Sequence, residues 1–292
     1  MTHSFRSHTF QWLFAAILLA VFISSCKSDD NGTPAPEPSI KLASSATLGQ
    51  YLADSAGNTL YFFTRDADGK NNCTSGSCVA LWPIYYKAGL TQGQLGDGLT
   101  LADFAEITTA SGAKQLTYKG WPLYYYAPSS NGQNTRELPG ETKGEAVGNV
   151  WFVAKTDYTI MLANRQLVGL DGKNYKKDYT VGDEVTQYFT DSKGRTLYVF
   201  TADKKNTNNC TSANCKSAWP VFSETMTNVP SILDKSLFGT VDVDGKKQVT
   251  YKGWPLYYFA NDSQRGQTKG VSVPNPGVWP IVQKDSPEAP VN

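Results

Sequence analysis

Short apolar and aromatic runs alternate with polar turn sequences along most of the chain. "QYLAD" (Gln50–Asp54) and "TLYFFT" (Thr59–Thr64) flank "SAGN", a turn composition, and predict a β-hairpin. A strand's period of two places Tyr61 and Phe63 on one face and Leu60 and Phe62 on the other. Both faces are apolar, so this strand is expected to be buried on both sides. "QLTY" and "LYYY" flank Lys119-Gly120 and predict a second hairpin, with Pro122 at a strand start, where a missing N–H is tolerated. The same pattern recurs at Lys252-Gly253 and Pro255.

That recurrence is general. "YKGWPLYY" starts at Tyr118 and again at Tyr251. Gln50–Asp66 aligns with Gln187–Asp203 at an offset of 137, which holds through Trp82/Trp219, falls to 133 at Tyr118/Tyr251 and reaches 128 at Trp151/Trp279. Changes in length therefore lie in loops between the matching blocks of two copies. Each copy repeats internally: "LYFFTRD" (Leu60–Asp66) matches "LYYYAPS" (Leu123–Ser129), and "LYVFTAD" (Leu197–Asp203) matches "LYYFAND" (Leu256–Asp262). Each quarter then runs on to a Trp, at Tyr-to-Trp spacings of 21, 27, 21 and 22. The expected fold is all-β: two tandem homologous domains, each of two related antiparallel β units with short helical turns. The boundaries are 1–25 signal peptide, 26–46 flexible tether, 47–157 first domain, 158–184 connecting strands ("TIMLANRQLVG" and "YTVGD"), 185–285 second domain and 286–292 tail. One continuous four-quarter structure is the alternative.

The composition is strongly aromatic, with 16 Tyr, 13 Phe and 7 Trp, which favours strands. An acid closes three quarters: Tyr61/Phe63/Asp66, Tyr198/Phe200/Asp203 and Tyr257/Phe259/Asp262; Tyr124/Tyr126 has Ser129 in its place. These acids sit where strand gives way to loop. They are expected to accept hydrogen bonds from loop N–H groups, a tyrosine hydroxyl or a tryptophan indole, and Ser129 can accept such bonds too. The competing reading is a catalytic or metal-binding carboxylate, a role serine cannot fill.

The termini bear on location. Arg6 and the apolar run Trp12–Ile23 read as a signal peptide, too short to span a membrane comfortably. The run ends in "ISSC", which resembles a bacterial lipobox with Cys26 as the lipidated residue; such a terminus is anchored to a membrane without crossing it. "KSDDNGTPAPEPS" follows as a polar tether, and its Lys27, Asp29 and Asp30 resemble a surface-export signal. Cleavage removes Arg6 from 27 basic residues and no acid, leaving 26 of each sign. A neutral chain gives no electrostatic case for nucleic acid. Both histidines, His3 and His8, leave with the signal. That excludes Ser-His-Asp or Cys-His nucleophiles and His-ligated haem or zinc.

In an oxidising compartment the remaining four cysteines are expected to pair locally, Cys73 with Cys78 and Cys210 with Cys215. Each short loop contributes about 2 kcal/mol. A metal site from converging pairs and a redox pair, which lacks the Cys-x-x-Cys spacing, are the rivals. Ser75 and Ser212 are placed to cap short helical turns ending before Trp-Pro. "DADGKNN" (Asp66–Asn72) hints at a calcium loop but lacks the acid spacing and closing Glu.

Tandem Tyr-x-(Phe/Trp/Tyr)-x-x-Asp units behind a lipoprotein signal resemble the secreted-repeat bacterial lipoproteins, over nearly all of 47–285. The resemblance implies an outer-membrane, surface-displayed or periplasm-facing protein and names no activity. Two function classes stand. One is a non-enzymatic, membrane-anchored binding or envelope protein, without cofactor, whose partner is a carbohydrate or another envelope protein; an exposed Trp121/Trp254 platform would suit a sugar. The other is a carboxylate-dependent enzyme, such as a glycosidase acting on a surface polysaccharide. The acids repeat in both copies and single out no catalytic pair, which favours the first.

Overall fold

The computed structural model describes Met1 and residues 37–291; the signal segment, most of the expected tether and Cys26 lie outside the described residues. The first copy opens with β1 (Ile40–Ser45) and β2 (Gly49–Asp54), antiparallel, with Ile40 opposite Asp54. The "SAGN" turn returns the chain, with Asp54 N–H donating to Asn58 O (3.0 Å) and Leu60 N–H to Leu52 O (2.9 Å). β3 (Tyr61–Phe63) follows. Helix α1 (Gly76–Leu81) is one short turn bracketed by the Cys73–Cys78 disulfide; Ser75 Oγ caps it by accepting from Cys78 N (3.2 Å). β4 (Phe104–Thr108), β5 (Lys114–Tyr118) and β6 (Trp121–Pro122) make a three-stranded antiparallel sheet. Lys119 and Gly120 between the last two have φ of 49° and 78°, the two positive values of a type I′ hairpin turn. An exposed hairpin, β7 (Ser129–Ser130) and β8 (Gln133–Asn134), precedes β9 (Trp151–Val153), which pairs with β3.

The second copy uses the same order. β10 (Ile160–Val168) takes the small strand β11 (Asn174–Tyr175) on one side and β12 (Val185–Asp191) on the other, with Ile160 opposite Asp191. Helix α2 (Ala213–Ala218) carries the Cys210–Cys215 disulfide and the Ser212 cap. β13 (Phe238–Val243), β14 (Lys246–Tyr251) and β15 (Trp254–Pro255) repeat the three-stranded sheet.

Within each copy the two quarters meet about a local twofold. Tyr61 and Tyr124 exchange both backbone hydrogen bonds (2.9 and 3.1 Å), as do Tyr198 and Tyr257 (2.9 Å each). The alternation along β3 separates two cores. Tyr61 and Phe63 join Tyr51, Trp82, Tyr124 and Trp151, while Leu60 and Phe62 join a cluster that also holds Tyr188, Tyr198 and Trp219 of the second copy. That shared cluster ties the copies together, and residues 36–292 form one compact unit.

Three boundaries differ from the sequence expectation. The tether assigned to 26–46 gives way at Ile40, which is fully buried in β1; "IKLASS" is half polar and shows its strand only through its partner β2. The segment 158–184 is not a connector between domains. β10 is to β12 what β1 is to β2, so the second copy begins near Tyr158, and "YTVGD" is folded into it by a bridge from Val181 to Tyr175 and by Tyr179 Oη, which accepts from Ile281 N (3.0 Å). The tail 286–292 is packed rather than loose: Ala289 is buried and its N–H donates to Lys252 O (3.0 Å).

Candidate functional site

The repeated acids lie in the middle of each copy, each bonded to the tyrosine of the opposite quarter. Asp66, on the 3₁₀ turn after β3, accepts from Tyr124 Oη through Oδ2 (2.5 Å) and from Asn72 N through Oδ1 (2.8 Å). Asp203 accepts from Tyr257 Oη (2.8 Å) and Asn209 N (2.7 Å). Asp262 accepts from Tyr198 Oη (2.6 Å) and Lys269 N (2.9 Å). The quarter without a motif acid completes the set from further along. Tyr61 Oη donates to Glu137, whose other oxygen accepts from Lys143 N (2.7 Å). Ser129 takes no part in this bonding. It is exposed on β7, because the longer loop of this quarter carries position 129 into solvent. The missed signal is "TKG" at Thr142 and Thr268, which aligns Glu137 with Asp262 to within one residue.

Asp66, Asp203 and Glu137 are buried and Asp262 is half-buried, and the loss of water raises each against the donors that favour the anion. Asp66 and Asp262 are pushed up to about 7, Asp203 to about 6, and Glu137 upward as well. The partner tyrosines are raised far above their ordinary range, first by burial and then by the facing carboxyl. Two glycines complete the locks. Gly144 N–H donates to Tyr61 Oη (3.2 Å) and Gly270 N–H to Tyr198 Oη (3.3 Å); a Cβ at either would lie 2.8 Å from the tyrosine ring.

Aromatic stacks roof the locks. Trp151 lies between Phe63 (4.0 Å) and Trp82 (3.8 Å), and Tyr126 packs on Trp82 (4.6 Å). Trp279 lies between Phe200 (4.2 Å) and Trp219 (3.9 Å), with Phe259 on Trp219 (4.4 Å). The motif aromatics thus pin the two Trp residues that close the quarters of each copy. A second tyrosine–acid pair has no counterpart among the residues singled out from the sequence. Tyr125 Oη donates to Asp54 (2.8 Å) under Arg136, and Tyr258 Oη to Asp191 (3.0 Å) under Arg195. The doubled tyrosine of "LYY" was its signal: adjacent strand residues face opposite ways, so each finds its own acid.

The remaining chemistry is dispersed. Trp121 is fully buried and Trp254 nearly so, so the corner offers no flat aromatic face to a sugar. In the segment weighed as a calcium loop, Asp68 pairs with Arg165 (3.0 Å) and Asp66 is held by its lock. Among the described residues no group of three His, Cys, Asp or Glu is placed to hold a metal. Asp262 borders a depression of about 160 Å³ with Arg195 and Tyr258. A larger cavity of about 390 Å³ lies beside the first disulfide, lined by Cys73, Val79, Ile84 and Thr109.

Two segments, 105–136 and 240–283, match the model of a family described as a secreted repeat of unknown function. They lie in the corresponding parts of the two copies, running from the three-stranded sheet through the second "LYY" strand. This is the secreted-repeat family that the sequence resembles, and it places the chain outside the cytoplasm as a repeat protein. No curated protein and no solved structure matches the chain significantly.

Proposed function

We propose that this is a lipid-anchored envelope protein, tethered through Cys26 to the outer membrane, whose repeat unit serves binding or display rather than catalysis. The observation that carries the reading is the use made of the acids. Each of Asp66, Asp203, Asp262 and Glu137 is engaged by a buried tyrosine and a backbone N–H. A general acid or nucleophile needs a lone pair or proton directed at substrate, and here both oxygens of each carboxyl are engaged by the fold itself. The partner proposed is another envelope component, carbohydrate or protein, recognised on the outer surface.

Fractionation tests the anchor. Wild type is expected in the membrane fraction, and Cys26→Ser is expected to be released or to persist as uncleaved precursor. A Cys26→Ser chain that is processed and partitions like wild type rejects it. Asp203→Asn separates the two function classes: any activity should decline only in step with unfolding. An intact fold with abolished polysaccharide hydrolysis would instead establish the glycosidase.

A further inference from the structure

The two "YKGW" corners have identical sequences and different covers, and both covers meet the indole N–H and the carbonyl of the turn lysine. On the first corner sits the second copy. Trp121 Nε1 donates to Ser192 O (2.9 Å) and Lys119 O accepts from Arg265 Nη1 (3.0 Å), while Lys119 Nζ donates to Thr156 O (2.7 Å) within the first copy itself. On the second corner sits segment 284–290. Trp254 Nε1 donates to Pro287 O (2.9 Å), Lys252 O accepts from Ala289 N (3.0 Å), and Lys252 Nζ donates to Lys284 O and Ser286 O (2.9 and 2.8 Å). Arg265 fills the space left by the missing Cβ of Gly120, whereas at Gly253 Lys205 of the same copy fills it and Ala289 of the cover stands in contact at 3.4 Å.

We propose that segment 284–290 is a cap occupying a docking face for a further repeat, and that this face, once uncovered, binds the front of the first copy of a second chain. The front is identified by the same equivalence. Ser192, Gly194, Arg265 and Gly266 present the second copy to Trp121, and their counterparts in the first copy are Ser55, Gly57, Pro139 and Gly140. The counterpart contacts agree: Gly140 N–H donates to Gly57 O (2.9 Å) as Gly266 N–H does to Gly194 O (2.8 Å). Ser55, Pro139 and Gly140 are exposed, and beside them Leu138 is 67% exposed, a large apolar side chain that none of the described residues covers. A front left uncovered among the described residues and a capped back generate a head-to-tail, heterologous interface, which propagates unless its end is blocked. Pro139 in place of Arg265 lacks the guanidinium that reaches two carbonyls across the internal interface, so the intermolecular version is the weaker of the two.

Sedimentation of the compact unit 36–292 across the micromolar range tests this. The parent unit is expected to stay monomeric. Ala289→Glu, which sets a carboxylate where the cap is buried, and a chain stopped after Gln283 are both expected to associate with rising concentration. Adding Leu138→Glu should return them to monomer, and adding Pro139→Arg should tighten association about tenfold. Folded cap variants that remain monomeric overturn the proposal. So does association that Leu138→Glu leaves unchanged, since that would be non-specific adhesion of the uncovered Trp254. Loss of the folded baseline in both cap variants also overturns it, because a cap must be separable from the unit it covers.

Discussion

The first and second "YKGWPLYY" corners share their sequence, their type I′ turn and their buried tyrosine, yet they bear different loads. Trp121 stands at the junction of the copies: it packs on Phe62 (6.0 Å), lies beneath the Arg265 guanidinium (4.8 Å) and bonds to Ser192 O. Trp254 lies beneath a short terminal segment and remains 9% exposed. An identical octapeptide is an interface between copies in one place and lies under segment 284–290 in the other. What differs is the chain that arrives to cover it.

The sharpest way to break the comparison is to remove both indoles separately. Trp121→Ala should cost about 3–5 kcal/mol, since it opens a cavity in the shared core and leaves Arg265 without its face. Trp254→Ala should cost roughly half as much, because a peripheral segment can collapse into the space. Urea unfolding of the two variants checks the order, and equal losses would mean the two corners carry equal loads.

The turn glycines sharpen the same contrast. Gly120→Ala and Gly253→Ala share a penalty of about 1 kcal/mol for positive φ. At Gly120 the new Cβ would lie 1.8 Å from Arg265 Nη1, so the guanidinium must leave both carbonyls it serves. At Gly253 the closest atom is Lys205 Cγ at 2.7 Å, on a flexible side chain. Gly120→Ala is therefore expected to lose about 2–4 kcal/mol in all, and Gly253→Ala nearer 1–2 kcal/mol. Thermal melts of the pair distinguish them.

A third comparison lies between quarters. Glu137→Gln should cost roughly 1–3 kcal/mol, like Asp66→Asn, by disturbing a buried hydrogen-bond pair. Ser129→Ala should stay within about 0.5 kcal/mol, as expected of a surface site. A reversed order would return the acid's role to the motif position.

The last effect is collective. Asp66, Asp203 and Asp262 have folded values of about 7, 6 and 7, above their ordinary 3.8. An acid raised on folding adds stability that is fully present below its unfolded value and is lost as pH rises through its folded value. The melting temperature is thus expected to fall as pH rises from about 5 to about 8. Replacing the three acids with Asn should flatten that slope. A melting temperature that rises over the interval would mean the tyrosine and N–H donors outweigh burial.

Signals that act within a few residues were legible along the chain: the twofold repetition, the two-faced strand at Tyr61–Phe63, the Lys-Gly turns, the Ser75 and Ser212 caps and the cysteine pairs. Each depends on local backbone geometry or on side-chain period, and these are written in adjacent residues. The partners of the acids were not legible, because Asp66 meets Tyr124 and Asp262 meets Tyr198 only once two quarters pair across more than fifty residues. Glu137 was missed for a related reason: the lock requires a carboxyl at a point in space, and a longer loop delivers it from eight residues beyond Ser129. The half-polar β1 and the patternless cap 284–290 likewise acquire order from what they cover. The sequence by itself determined the repeated unit and its internal turns. How the units join, which acid serves which tyrosine and what covers each corner came only from the folded chain, since those depend on long-range packing that the same octapeptide meets differently at each site.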